Sequence, residues 1–212
     1  MLLILWVIVA GVLVGIALGG DIRTLSDIRL RWWPLALIGL ALQLIPIPSM
    51  AGQLDHWLAV GLLIASYVVL LVFVAMNIRL PGFPLIAVGF ALNLLVISVN
   101  GGMPVTVSAL RHAYASQYPA EITRLQEHGG AKHHLARDDD VLLPLADVIP
   151  LGAPLHQVLS VGDIVFMAGV FWVIAAATKG AVGRHRPRSR PGATPGPSDV
   201  PDRAKPAAEQ GW

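Results

Sequence analysis

Residues 57–76 read Trp-Leu-Ala-Val-Gly-Leu-Leu-Ile-Ala-Ser-Tyr-Val-Val-Leu-Leu-Val-Phe-Val-Ala-Met. The run carries no charge, and only Ser66 and Tyr67 break its apolar character. At 1.5 Å per residue, a helix of this length covers about 30 Å, the thickness of a bilayer's hydrocarbon layer. The stretch is predicted to span a membrane.

The composition points the same way. Of 212 residues, 55% are hydrophobic and 13% charged, whereas a soluble domain carries about 25% charged residues. Mean hydropathy is +0.68. There is no cysteine, which excludes disulfides, Cys-ligated metal sites and a redox dithiol.

Four more spans are expected on either side of 57–76, at about 1–20, 32–47, 85–99 and 161–177. Residues 1–20 have no Lys or Arg ahead of the apolar run, as a signal peptide would want, so a retained helix is expected. Gly11, Gly15 and Gly19 recur at four-residue spacing and suit close helix packing. The second span is short. It opens on Trp32-Trp33-Pro34, with Pro34 in a first turn that has no use for its missing N–H, and it closes at Pro46 and Pro48. Asn93 is the polar residue of the fourth span. Residues 179–212 are rich in Pro, Gly, Ala and Arg and poor in aliphatics, so this tail is expected to stay disordered. The fold class is thus an all-α, polytopic, five-span transmembrane bundle, with a partly helical cap over 100–160 and a basic, Pro-rich tail.

Charge sets the orientation. The connection 21–31 holds Arg23, Arg29 and Arg31, and the turn 77–84 holds Arg79, whereas the short loop 49–56 has neither Lys nor Arg. The positive-inside rule puts the N-terminus outside a bacterial plasma membrane and the tail in the cytoplasm. The arginines at 184, 186, 188 and 190 then lie where anionic lipid attracts them, at about 1 kcal/mol each. Membrane lipid is the expected partner, with a homo-oligomer or another membrane protein as further options. Nucleic acid is not expected.

The segment 100–160 is the long polar interruption, and it holds five of the seven histidines. Asn100-Gly101-Gly102 marks a turn needing positive φ. Its N–H groups are either an anion nest or part of a plain helix stop. Thr106 or Ser108 is placed to cap a short helix, and Pro119 and Gly129-Gly130 bound a second. His133, His134 and Asp147 have the donor chemistry for a divalent metal such as zinc, although their spacing fits no compact ligand motif. The run Val141–Gly152 is apolar but broken by Pro144, Asp147 and Pro150, which suits a re-entrant or interfacial segment. Asp147 there needs a partner, from Arg111, Arg137 or a histidine. Ser160 and Asp163 have capping-box spacing at the start of the last span.

The segments Asn100-Gly101-Gly102-Met103-Pro104, His133-His134-Leu135, Asp147-Val148-Ile149-Pro150 and Ser160-Val161-Gly162-Asp163 resemble those of a family of small bacterial integral membrane proteins of unknown function, common in actinobacteria and related Gram-positive lineages. The resemblance covers about residues 1–178. It implies a membrane location and carries no activity, substrate or cofactor with it.

Three functional readings follow. In the first, a small ligand or ion binds at an outward-facing cap, held by Asn93, Asn100, Gly101, Gly102, His133, His134, Asp147, Ser160 and Asp163; polar groups at membrane depth mark such sites. In the second, the chain is a membrane enzyme acting on an envelope or lipid-linked substrate. A histidine with Asp147 would supply the base, and Ser160 has no Gly-x-Ser-x-Gly setting. In the third, the chain is a structural or accessory subunit using the glycine face of the first span.

Overall fold

The computed structural model describes residues 2–45, 53–128 and 132–180. The loop after the second helix, Gly129-Gly130 and the Pro- and Arg-rich tail from residue 181 lie outside the described residues. The chain is mostly helical: α1 is Leu2–Ala17, α2 Trp33–Leu44, α3 Gln53–Met76, α4 Phe83–Asn100, α5 Val107–Tyr114, α6 Tyr118–His128 and α7 Val161–Thr178. Among the described residues, three stretches are long and apolar enough to cross a membrane: His56–Met76, Phe83–Asn100 and Val161–Thr178.

The other two apolar helices are shorter than expected. α1 has 16 residues and α2 has 12, so α2 covers about 18 Å as a helix. The expected limit of 47 lies outside the described residues, and the helix itself ends at Leu44. Ile45 is extended, with ψ of 114°, and it precedes Pro46, whose ring disfavours the helical conformation in the residue before it.

Glycines set how the long helices meet. α1 packs on α7, α7 on α4, α4 on α3 and α3 on α2. Where α4 and α7 cross, Gly82 faces Gly169 and Gly89 faces Gly162. Each pair is seven residues from the next along its own helix, so one face of each helix lies flush against the other. A Cβ on Gly89 would come within 2.6 Å of the Gly162 carbonyl oxygen. Gly11 and Gly15 of α1 lie against Ile174 and Thr178 of α7, and Gly39 of α2 lies against Leu70 of α3. The glycine face of the first span is therefore covered by the chain's own last helix at Gly11 and Gly15, while Gly19 has nothing within 4 Å. Without a hydrophobic drive between helices in lipid, such close backbone approach supplies the packing.

A Cβ at Gly162 would collide with the Asn93 amide oxygen. Gly162→Ala is expected to cost about 1–3 kcal/mol, read as a lower Tm of the detergent-solubilised protein. Gly61 faces open space, so Gly61→Ala is expected to leave Tm unchanged or raise it slightly.

Two asparagines close the helices by the same device. At the end of α3, the Asn77 side chain donates to the Phe73 carbonyl and exchanges two hydrogen bonds with the backbone of Arg31. At the end of α4, the Asn100 side chain donates to the Val96 carbonyl and exchanges two with the backbone of Val141. Each folds back onto a carbonyl four residues earlier and pins a crossing segment. Thr24 donates to the Ala177 and Thr178 carbonyls. The turns bearing Arg23, Arg29, Arg31 and Arg79 thus gather beside the end of α7, opposite the segment that follows α4.

That segment forms a small layer over the other end. Strand β1, Met103–Val105, pairs in parallel with β2, His133–Leu135, through a connection that contains α5 and α6. Asp147 bridges the free edge of β1, and β3, Ile149–Leu151, pairs antiparallel with β4, Gln157–Leu159. These two ladders are absent from the all-α expectation. Strands of three residues are too short for an alternating pattern to show in sequence. The apolar run 141–152 turns inward as far as Leu145 and Ala146, which pack on Leu63, Val96, Ile97 and Met103, and returns outward as β3. Thr106 caps α5 by accepting from the Ala109 N–H.

Candidate functional site

Below the cap, α3, α4 and α7 enclose a cavity of about 110 Å³. Its walls include Tyr67 of α3, Asn93 of α4, Asp163 of α7, and Lys132, His133 and Asp147 of the cap. A cavity needs roughly 10–15 Å³ of this kind of volume to hold one water, so several waters, or one small solute with part of its hydration shell, fit here.

Each polar wall has a structural cause. The glycine seam between α4 and α7 lets Asn93 reach the first turn of α7. There its amide donates to Asp163 Oδ1 at 2.8 Å and accepts from the Ser160 hydroxyl at 2.9 Å. Ser160 and Asp163 complete a capping box: the Asp163 N–H donates to Ser160 Oγ, and the Ser160 N–H donates to Asp163 Oδ2. Asp163 therefore receives one hydrogen bond on each oxygen, in the first turn of α7. Tyr67 stands beside Asn93, Asp147 and Asp163.

Asp147 is held differently. Its backbone is fixed on β1: its N–H donates to the Pro104 carbonyl, and its carbonyl accepts from the Thr106 N–H. Its side chain is buried, and its closest polar neighbour is His133 Nε2, at 3.6 Å from Oδ2. No hydrogen bond reaches the carboxyl from the described residues. Burial, with the nearby Asp163 charge as a second cause, pushes its pKa well above the usual carboxylate range. Burial also lowers the pKa of His133. About half of the His133 side chain is open to solvent, against 7% of Asp147's, so desolvation bears more fully on the acid. Both shifts favour the uncharged forms of the facing acid and imidazole.

The expected site residues divide. Asn93, Asp147, Asp163 and His133 line the cavity, and Ser160 positions two of them. Asn100, Gly101 and Gly102 do not line it. Gly101 ends α4 in the left-handed region, at φ 66°, and the N–H groups of Gly101 and Gly102 both donate to the Ile97 carbonyl. Those N–H groups serve the helix stop and leave no nest for an anion. His133 and His134 diverge, because successive residues of a strand face opposite ways. His134 bonds Asp140 at 3.1 Å, on the far side from Asp147. The three residues weighed for a metal therefore do not gather, and among the described residues no three His, Cys, Asp or Glu side chains are placed to hold a metal ion.

Sequence reasoning missed three cavity residues. Tyr67 reads as a polar break in a span, and only its shared level with Asn93 would have marked it. Lys132 spans the cavity rim, donating to the Gln43 carbonyl at the end of α2. Gln43 supplies a backbone atom, which no side-chain pattern can reveal.

Comparison with known proteins adds kinship without activity. A family model described as a family of unknown function, DUF5317, matches residues 27–175, so α1 lies outside the match. An uncharacterised protein of Thermotoga maritima is 32% identical over 157 residues, covering 73% of this chain and 80% of that one. No solved structure matches. By the extent of both sequence matches, the chain belongs to the family of unknown function DUF5317.

Proposed function

We propose that the chain is a five-span bacterial plasma-membrane protein that binds a small ligand or ion in the cavity beneath an outward-facing cap. The observation that carries this reading is the convergence of two carboxylates, Asp147 and Asp163, on one small cavity at the end of an apolar bundle. Ionisable groups in that setting are costly and mark sites.

Several observations support the membrane part. Large apolar side chains cover the outer faces of the helices, among them Leu5 and Leu13 of α1, Leu37 of α2, Val72 of α3 and Val88 of α4. Scattered exposed apolar residues are ordinary, but whole apolar faces are not. Exposed tryptophans fall near both ends, with Trp6 and Trp57 toward the cap and Trp32, Trp33 and Trp172 toward the arginine-bearing turns, as interfacial belts require. Short α2 still connects the two ends. Arg31, just before it, meets Asn77, and Gln43, in its last turn, meets Lys132 of the cap. With the arginine turns inside, the cap faces outward and the N-terminus lies outside. Anionic lipid at the arginines of 184–190 belongs to the same proposal on sequence grounds alone.

The test is a thermal-shift panel on the detergent-solubilised protein with monovalent and divalent salts, small amines and small carboxylic acids. At least one class is expected to raise Tm in a saturable way, and Asp163→Asn should abolish the response. A flat response to every class would contradict ligand binding.

A further inference from the structure

The occupant of the cavity can be narrowed by asking what its walls still lack. Asn93 and Ser160 are engaged with Asp163 and with each other. Asp163 has a donor on each oxygen. Asp147 is the exception: 5% exposed, with no hydrogen bond to its carboxyl among the described residues and His133 Nε2 at 3.6 Å. Among the described residues, no fully enclosed side-chain nitrogen or oxygen lacks a partner. The unpartnered Asp147 carboxyl must therefore open onto the cavity it lines. Asp147, which burial pushes toward its protonated form, then stands across a small polar space from Asp163.

Charge decides what can enter. An anion would meet carboxyl oxygens from two sides, Asp147 and Asp163. The positive end of α7 acts on Asp163 in its own first turn, while α2 and α4 turn their negative ends to this side. Among the described residues, no three acidic or imidazole side chains are placed to hold a divalent ion. A monovalent cation needs oxygen ligands, and it leaves the charge of the site as it was if Asp147 gives up its proton on entry. The other titratable or charged groups around Asp147 are Asp163 from α7, Tyr67 from α3, and His133 and Lys132 from the cap; Arg124 of α6 acts on His133. The ammonium of Lys132 is tied at the rim to the Gln43 carbonyl, so it leaves the Asp147 carboxyl without a cation of its own.

We propose that the cavity binds one small monovalent cation in exchange for one proton, which leaves the Asp147 carboxyl as the cation enters between Asp147 and Asp163. The balance is complete: the O–H bond of Asp147 breaks, the proton passes to solvent, and the net charge of the site is unchanged. An alkali ion and ammonium share the chemistry required, namely a single charge and affinity for oxygen. This proposal rests on the ligand-binding reading above and sharpens it to a charge class and a proton count.

The experiment uses the full chain in detergent. Sodium, potassium and ammonium chloride are titrated calorimetrically, with choline chloride holding ionic strength constant, in two buffers of different ionisation enthalpy, across about pH 6 to pH 8. Binding of at least one of the three ions is expected, with about one proton released per cation, and affinity should rise about tenfold per pH unit while Asp147 is still protonated. Comparison of the three salts identifies the source. Asp147→Asn should reduce the proton release to none, but the wild-type proton count is decisive by itself if that variant fails to fold. Cation binding without proton release would overturn the exchange and leave the binding site standing. A response to some other solute class, with none to the three cations, would do the same. Silence from every solute would overturn both the exchange and the ligand-binding reading.

Discussion

Asn93→Leu is expected to cost about 3 kcal/mol and to abolish any ligand response of the detergent-solubilised protein. The size follows from what is stranded. The two interhelical hydrogen bonds of Asn93 would by themselves account for little, since such bonds average about 0.6 kcal/mol in the best-measured membrane case. The larger effect is the loss of a donor to Asp163 and an acceptor for the fully buried Ser160 hydroxyl. A buried polar group left without a partner costs about 1–3 kcal/mol, and more when charged. The leucine would also lie against Gly162, where the backbone of α7 already touches the Asn93 amide. Thermal or denaturant melts of the two proteins check this. Ser160→Ala, which removes the helix cap but leaves the Asn93–Asp163 bond, is expected to cost less, about 1 kcal/mol. If both variants melted with wild type, the α4–α7 polar junction would carry no stability.

Asp147→Asn is expected to remove the pH dependence that the buried acid imposes. The folded protein holds the Asp147 proton more tightly than the unfolded chain, because its pKa is raised. The stabilisation from this group is therefore complete below the usual carboxylate pKa of 3.8 and is lost as pH rises through the raised folded value. His133 acts in the opposite sense. Its pKa is lowered, so protonation below its usual 6.5 weighs against the fold as pH falls. The difference in Tm between variant and wild type, measured without added alkali or ammonium salt, isolates Asp147. Asp147→Asn should gain on wild type steadily from acid toward neutral pH. A constant difference across that range would show that Asp147 ionises as freely in the folded protein as in the unfolded one.

The apolar helices were legible in the sequence because lipid-length runs leave a strong compositional mark, and Ser160 and Asp163 were legible because capping depends on short fixed spacing. The end of α2 at Leu44 is less legible, because hydropathy continues through Ile45, where the backbone is already extended. The seam of Gly82, Gly89, Gly162 and Gly169 went unread. Its seven-residue steps lie on two helices far apart in sequence, and only their crossing gives them meaning. The same is true of the cavity. Asp147 and Asp163 meet because β1 pins one and the α4–α7 crossing presents the other. His133 and His134 look like a pair in sequence yet face opposite ways, as neighbours on a strand must.

Side-chain accessibility in intact cells tests the membrane account most directly, and the absence of cysteine from the chain makes it clean. Single cysteines would replace exposed Asp139 in the cap and exposed Ser26 in the arginine-bearing turn, and each variant would be treated with a membrane-impermeant maleimide before and after permeabilisation. Labelling of Asp139→Cys in intact cells, with Ser26→Cys reacting only after permeabilisation, is the predicted result. Equal labelling of the two in intact cells, or the reverse pattern, would contradict an outward cap carried on a membrane-spanning bundle.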